Sequence, residues 1–435
     1  MRFKGFIKIF IPLVIVEFSI IISSFWMLGD YDIKRFNQWS ISEWMINYQA
    51  GFVRRGLLGE ILYQLNFTDG VIPALYLLVL GFYSACIAIF IVVYLASRIS
   101  SATVMILSLL IPGGIFHMAI SVYFYTRKEI LFLIHFGILC LVYLVIQRTG
   151  KELKPLWIGL FGVIAIIGGV LLTLVHEPYL FMAYPITLFL CFILRGESEK
   201  NFMETMILII FSISVPITFL ICSLNHGDQI ISQKIWDSYQ LSDRLILAPN
   251  APYTASFATA GIGWGFMQHL STLYGVFITG TWIYWLLFWL ANGFALICIA
   301  SRISFACISS TNLCKFKEPE SLRRVAFVMS IVFGYLISSS MFFIASDYGR
   351  WIACATNLSL FLSFAIHQSA YLLKFISRIH DRVLQICHRL MRIAITAPIL
   401  VVILIYELTF QMPECCLREA EFLIRYDQFF RLIFS

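Results

Sequence analysis

Residues 72–97 read IPALYLLVLGFYSACIAIFIVVYLAS, a run without a single Asp, Glu, Lys or Arg. Crossing the hydrocarbon layer of a bilayer as a helix takes about 20 apolar residues, so this run is long enough to span one. The rest of the chain repeats the pattern. Comparable stretches fall near 6–28, 102–122, 130–147, 156–175, 179–194, 203–223, 273–300, 325–345, 352–373 and 394–412, which with the first makes about 11 predicted spans.

The bulk composition agrees with that reading. Hydrophobic residues make up 60% of the chain and charged residues 13%, against roughly 25% charged in soluble domains. The mean hydropathy is +0.88. A water-soluble globule is excluded. The expected fold is all-α: a polytopic integral membrane helix bundle forming a single transmembrane domain over 1–435, with outer loops at 29–71 and 224–272 that carry interfacial helices. No long polar segment is left for a soluble catalytic domain, so chemistry must sit on loops and helix ends. The 11 Cys are scattered through the chain without CxxC spacing, as at Cys86, Cys140, Cys191 and Cys298, and imply neither a disulfide framework nor a zinc site. The first span lacks a small-residue cleavage site and runs too long for a removable signal, so it is expected to stay as a helix.

Orientation follows from Lys and Arg, which resist translocation. With the N-terminus inside, the cytoplasmic set includes Arg98, Arg148, Lys151, Arg195, Arg302, Arg323 and Lys374 and holds about 19 of the 31 Lys and Arg. The opposite face keeps about 12, together with most of the acids. This predicts N-in and C-out. The basic stretch Lys374 to Arg392 reads as an amphipathic helix on anionic headgroups.

The outer face carries the informative residues. Its first loop opens with Asp30 and Asp32, and later places Leu57, Leu58, Ile61, Leu62 and Leu65 on one helical stripe, which predicts a helix lying in the interface. Trp39, Trp44 and Tyr48 suit the headgroup layer, where a ring has one wet edge. Just before the stripe, Gly51-Phe52-Val53-Arg54-Arg55-Gly56 sets two guanidiniums between glycines at a helix start. Guanidinium binds phosphate oxygens bidentately and a helix N-terminus adds positive potential, so the segment suits a phosphorylated ligand. The other reading is that both arginines snorkel to lipid phosphates.

Three short outer segments repeat the theme. They are Tyr123 to Glu129, with Arg127 and Lys128; His176-Glu177-Pro178-Tyr179; and Ser346 to Trp351, with Asp347 and Arg350. Ionisable groups this close to hydrocarbon are costly unless they pair or face water, and by default they mark a functional site. The bland alternatives are interfacial anchoring for Arg127 and Lys128, a satisfied helix end for His176 and Glu177, and an i,i+3 ion pair for Asp347 and Arg350. The largest outer loop adds His226 and Asp228 among aromatic residues, a mixture that suits a sugar ring. Part of it is expected to be helical and to lie across the outer mouth.

The cations fit an anionic lipid headgroup. Transfer of a glycosyl group from a polyprenyl-diphosphate needs positive groups for the departing diphosphate and a base for the attacking hydroxyl. Both are present by residue type: Asp30, Asp32, His176, Glu177 and Asp347 as acid–base candidates, and Arg54, Arg55, Arg127, Lys128, Arg350, His226 and Asp228 as substrate-binding candidates.

This layout resembles that of bacterial O-antigen and capsule repeat-unit polymerases and, more broadly, of polytopic GT-C glycosyltransferases. Asp30 and Asp32 resemble the acidic position after the first span of GT-C enzymes, while GFVRRGLLGE at 51–60 and SDYGRW at 346–351 resemble short motifs of polymerase-like membrane proteins. The resemblance implies a membrane glycosyltransferase of lipopolysaccharide or other polysaccharide biosynthesis in a bacterial inner membrane. It also implies undecaprenyl-diphosphate-linked oligosaccharide as substrate, membrane lipids as surroundings, and a chain-length regulator or flippase as partner. No nucleic acid and no cofactor are implied, although Asp30 and Asp32 with substrate phosphates offer a place for a divalent ion. Polymerase, ligase and single-sugar transferase stay open. A flippase or other polytopic transporter is the rival from another class, with Pro112-Gly113-Gly114 and Pro216 as candidate helix interruptions. A lumenal glycosyltransferase glycosylated at Asn66-Phe67-Thr68 is a third reading.

Overall fold

The computed structural model describes residues 21, 38–65, 71–99, 101–121, 124–197, 202–238, 261–263, 266–303, 320–343, 347–378, 399, 401–403 and 405–406. Among them the regular structure is helical, as expected. In chain order the helices are α1 Gln38–Trp44, α2 Gly56–Gln64, α3 Val71–Ala96, α4 Ala102–Leu110, α5 Ile115–Ile120, α6 Glu129–Ile146, α7 Lys154–Val175, α8 Tyr179–Met182 and α9 Tyr184–Gly196. They continue with α10 Phe202–Leu224, α11 Gln229–Ser238, α12 Phe266–Ile278, α13 Thr281–Ser301, α14 Glu320–Ser338, α15 Tyr348–Ile366 and α16 Ala370–Ser377. Asp30, Asp32 and nearly all of the first and last predicted spans lie outside the described residues.

Among the described residues five helices are long and apolar enough to cross a membrane: Ala74–Ala96 within α3, and α6, α7, α10 and α15. Two shorter apolar helices, α9 and Trp285–Ser301 within α13, accompany them. Contacts sort the helix ends into two sets. At one end Tyr143 donates to Glu197 at 2.8 Å, Arg148 reaches the carbonyl of Ala96, and Gln368 reaches the carbonyl of Ser97 at 2.5 Å. At the other end Trp44 donates to the Thr126 carbonyl at 2.6 Å, and the Arg54 amide donates to the Asn225 carbonyl at 3.1 Å. The described parts of the predicted outer segments that carry Trp44, Arg54 and Thr126 meet at this second end, and Arg148 and Glu197 of the predicted cytoplasmic loops lie at the first.

The stretch 102–122, read from sequence as one span, is two short helices. At 1.5 Å per residue, α4 rises only about 14 Å. Yet the stretch passes from one end to the other, because Tyr94 of α3 donates to the Ser101 carbonyl at 2.5 Å whereas Tyr83, further up the same helix, donates to the Phe124 carbonyl at 3.2 Å. Pro112, which cannot donate, and Gly113, at φ +77°, break the helix. Broken backbone at this depth is tolerated only when protein satisfies it. Asn357 of α15 does so, donating from Nδ2 to the Gly113 carbonyl at 2.8 Å. Pro216, by contrast, lies inside α10 without ending it. The predicted span 273–300 also starts elsewhere: Gly280, at φ 70°, separates α12 from α13.

Helix α15 is buried along its whole length, wrapped by α14, α6, α13 and α3. That position explains its polar content. Thr356 accepts from Asn292 at 2.5 Å, and Ser359 and Ser363 donate to carbonyls one turn back, so none of these groups is left facing lipid. The lipid-facing flanks are apolar instead, as at Ile209, Ile213, Ile217 and Leu220 along α10.

Candidate functional site

The predicted interfacial helix forms as α2, but it does not simply float on its apolar stripe. Its Gly59 faces the chain before it so closely that a Cβ would stand 2.0 Å from the Ile46 carbonyl oxygen. Leu58 and Leu62 pack inward, while Ile61 and Leu65 stay exposed. Trp44, assigned from sequence to the headgroup layer, is fully buried, since its indole N–H is taken up by Thr126. Arg55 caps α2 at φ 64°, a left-handed conformation that costs a non-glycine residue about 1–3 kcal/mol and persists only where its surroundings impose it.

Those surroundings are a cluster of charges at one end of the bundle. Arg55 Nε lies 2.8 and 2.7 Å from the two carboxylate oxygens of Glu177, beyond the end of α7, and its Nη1 lies 3.2 Å from Glu43 of α1. Arg54 reaches Glu177 at 3.4 Å and the Gly261 carbonyl at 3.0 Å. His176 stands between two acids, with Nδ1 3.4 Å from Glu43 and Nε2 3.3 Å from Glu129 at the start of α6. Arg350, in the first turn of α15, holds Glu129 at 3.0 Å and pairs with Asp347 on its own helix end. Its guanidinium also lies 4.7 Å from the centre of the Trp351 ring. Lys128, wholly buried, donates to the carbonyls of Val175 at 3.2 Å and Arg55 at 3.4 Å, so its charge meets the C-terminal end of α7.

Burial and pairing oppose each other here. Burial pushes the Glu43 carboxyl up, but His176, Arg55, Lys128 and Arg350 outweigh it and hold the group below its ordinary range. Burial acts likewise on Glu177, and Arg55 and Arg54 again prevail. For Lys128 burial wins over the attraction of Glu43, leaving its amine at about 8. Glu43 Oε2, Glu129 Oε2 and Asp347 Oδ1 are buried without a hydrogen-bond partner among the described residues.

The structure thus joins Arg54, Arg55, Lys128, His176, Glu177, Asp347 and Arg350, and buries Arg127 within electrostatic reach of Glu129. His226 and Asp228 take no part in these ion pairs. Both are exposed, and Asp228 accepts the Ile231 amide at 2.8 Å as a cap at the start of α11. Helix α11 is one helical part of the large outer loop, and the start of α12 is another. Ile235 of α11, with Ile262, packs on Ile46 and Val53 beside the two arginines. Two central acids, Glu43 and Glu129, were not singled out from sequence. Glu129 directly follows Arg127-Lys128, a signal that could have found it, whereas Glu43 sits alone in an otherwise uncharged segment. Among the described residues no three His, Cys, Asp or Glu are placed to hold a metal ion.

Several apolar membrane-crossing helices, and an ionic cluster where their ends meet, define a multi-pass integral membrane protein. The chain belongs to the family described as uncharacterised membrane protein Rv1490, whose model matches residues 13–239. That match takes in the segments bearing Glu43, Arg54, Arg55, Lys128, Glu129, His176 and Glu177, and stops before Asp347 and Arg350. No curated protein and no solved structure matches the chain.

Proposed function

We propose that the protein is a membrane glycosyltransferase acting on polyprenyl-diphosphate-linked glycan, with the repeat-unit polymerase of a bacterial inner membrane as its most specific form. On this reading the chain crosses about 11 times, N-in and C-out, and the ionic cluster opens to the periplasmic face. One observation carries the reading: Arg54, Arg55, Lys128 and Arg350, from three separate parts of the chain, meet four carboxylates and an imidazole at one end of the bundle. The arginines stabilise a diphosphate as it departs, and Glu177, which they hold meanwhile, keeps them charged and in place. Attack opposite the diphosphate inverts the anomeric carbon.

The broken α4–α5 crossing favours a second reading, a lipid-linked oligosaccharide flippase, because interrupted helices are common in transporters. Detergent-solubilised protein separates the two. Elongation of a lipid-linked glycan without a sealed membrane is expected of the transferase. A flippase gives none, and that result would replace the first reading by the second.

A further inference from the structure

Glu43, His176 and Glu129 stand in a row within the cluster. Glu43 Oε1 accepts from Arg55 Nη1 at 3.2 Å and lies 3.4 Å from His176 Nδ1, while Oε2 is buried without a donor among the described residues. A bare buried carboxylate oxygen is unfavourable, and a substrate hydroxyl would relieve it. The imidazole beside it is held from its far side, its Nδ1 being buried without a hydrogen-bond partner among the described residues. His176 Nε2 meets Glu129, which Arg350 anchors in turn, and the ring stacks on Phe132 at 5.8 Å between centres. Glu177 is unsuited to the same task, since Arg55 Nε engages both of its oxygens. Asp347 also has a bare oxygen, but its ion pair is with Arg350 and no imidazole adjoins it among the described residues.

We infer that Glu43 is the base that takes the proton of the attacking hydroxyl, with His176 and Glu129 as the positioning residues behind it. The inference rests on the transferase reading. The hydroxyl oxygen bonds to the anomeric carbon, and the bond from that carbon to the phosphate oxygen breaks. Its electron pair leaves on the diphosphate beside Arg54 and Arg55, and the proton passes to Glu43 Oε2. Arg55 touches both Glu43 and Glu177, so departure and deprotonation are governed around one guanidinium. The charged groups facing Glu43 are Arg55 from the α1–α2 connection, Lys128 and Glu129 from the start of α6, His176 and Glu177 from beyond α7, and Arg350 from α15.

The test uses full-length protein in nanodiscs with two probes: pyrophosphate for binding, and undecaprenyl-diphosphate-linked glycan isolated from cells that carry this chain for turnover. Glu43→Gln is expected to slow turnover about 10²–10⁴-fold while pyrophosphate binding stays close to wild type. His176→Asn and Glu129→Gln are expected to displace the acid limb of the pH–rate profile, which a merely structural role would leave in place. Turnover of Glu43→Gln within about tenfold of wild type overturns the base, being below what general-base catalysis contributes. If that variant fails to fold, an unmoved acid limb in both of the others overturns the inference. Wild-type protein that binds pyrophosphate but turns over no glycan overturns the transferase reading, and the base with it.

Discussion

Arg55 and Glu177, 122 residues apart in sequence, form a forked ion pair: Nε meets both carboxylate oxygens, and Nη2 lies 2.7 Å from Oε1. Both are largely buried, so neither charge can fall back on water when the other is lost. Removing one partner of such a pair destabilises by about 3–5 kcal/mol, and removing both does not double the cost. Arg55→Ala and Glu177→Ala are each expected to lower the melting midpoint of the detergent-solubilised protein, and the double variant to fall less than the two losses added. Additive losses would show that the pair is not coupled.

Arg55→Lys keeps the charge and discards the planar fork. On the proposed function it is expected to cut turnover of lipid-linked glycan about 10²–10³-fold, the scale set by losing one donor to developing negative charge. Arg54→Lys, whose residue also holds the Gly261 carbonyl, is expected to shorten product chains at normal protein level. Wild-type chain length in both would remove the arginines from the chemistry.

Asn357 carries the broken crossing. Its Nδ2 satisfies the Gly113 carbonyl at 2.8 Å, so Asn357→Leu leaves a buried acceptor bare and is expected to cost about 1–3 kcal/mol. Gly113→Ala is expected to destabilise as well, since φ is +77° and the new Cβ would stand 3.0 Å from Ala353 Cα. Thermal unfolding in detergent measures both, and unchanged midpoints would contradict the packing described.

The pH dependence has two arms. Lys128 titrates at about 8 in the folded protein, against 10.5 for a free lysine, so between those values the unfolded chain binds more protons and stability rises with pH. The stability of wild type relative to Lys128→Met is therefore expected to climb from pH 8 to 10.5 and to be flat just below 8. Glu43 and Glu177 give the same sign in an acid window. Their contribution is present above the ordinary value of 4.5 and is lost as pH falls through their depressed folded values. Equilibrium unfolding across both windows checks the signs.

Sidedness is checked by labelling with a membrane-impermeant maleimide. Gln49, beside the arginines, and Lys151, beyond the far end of α6, are both exposed. Gln49→Cys is expected to react from outside the cell and Lys151→Cys only after the membrane is opened, in line with the bias of positive charge. Reaction of both from the same side would break the alternation.

Much of the fold was legible in residues such as 72–97, where apolar length alone identifies a crossing. The breaks were less so. Pro112-Gly113-Gly114 and Pro216 are alike as helix-breaking signals, yet only the first interrupts, because Asn357 is there to take up the freed carbonyl. Four short charged segments pointed to the site, but Glu43, a lone acid in an otherwise uncharged stretch, had no such signal.

Hydrophobic length and the placing of Lys and Arg were enough to establish membrane residence and to divide the loops into two sets, since bilayer thickness and charge asymmetry act along one axis and are read segment by segment. Which ionisable groups meet is another matter. That Glu43, Arg55, His176, Glu177, Glu129 and Arg350 share one cluster depends on the side-by-side order and rotation of helices far apart in sequence. Packing between segments sets those, as where Gly59 lets α2 close on Ile46 and where α15 is enclosed on every side.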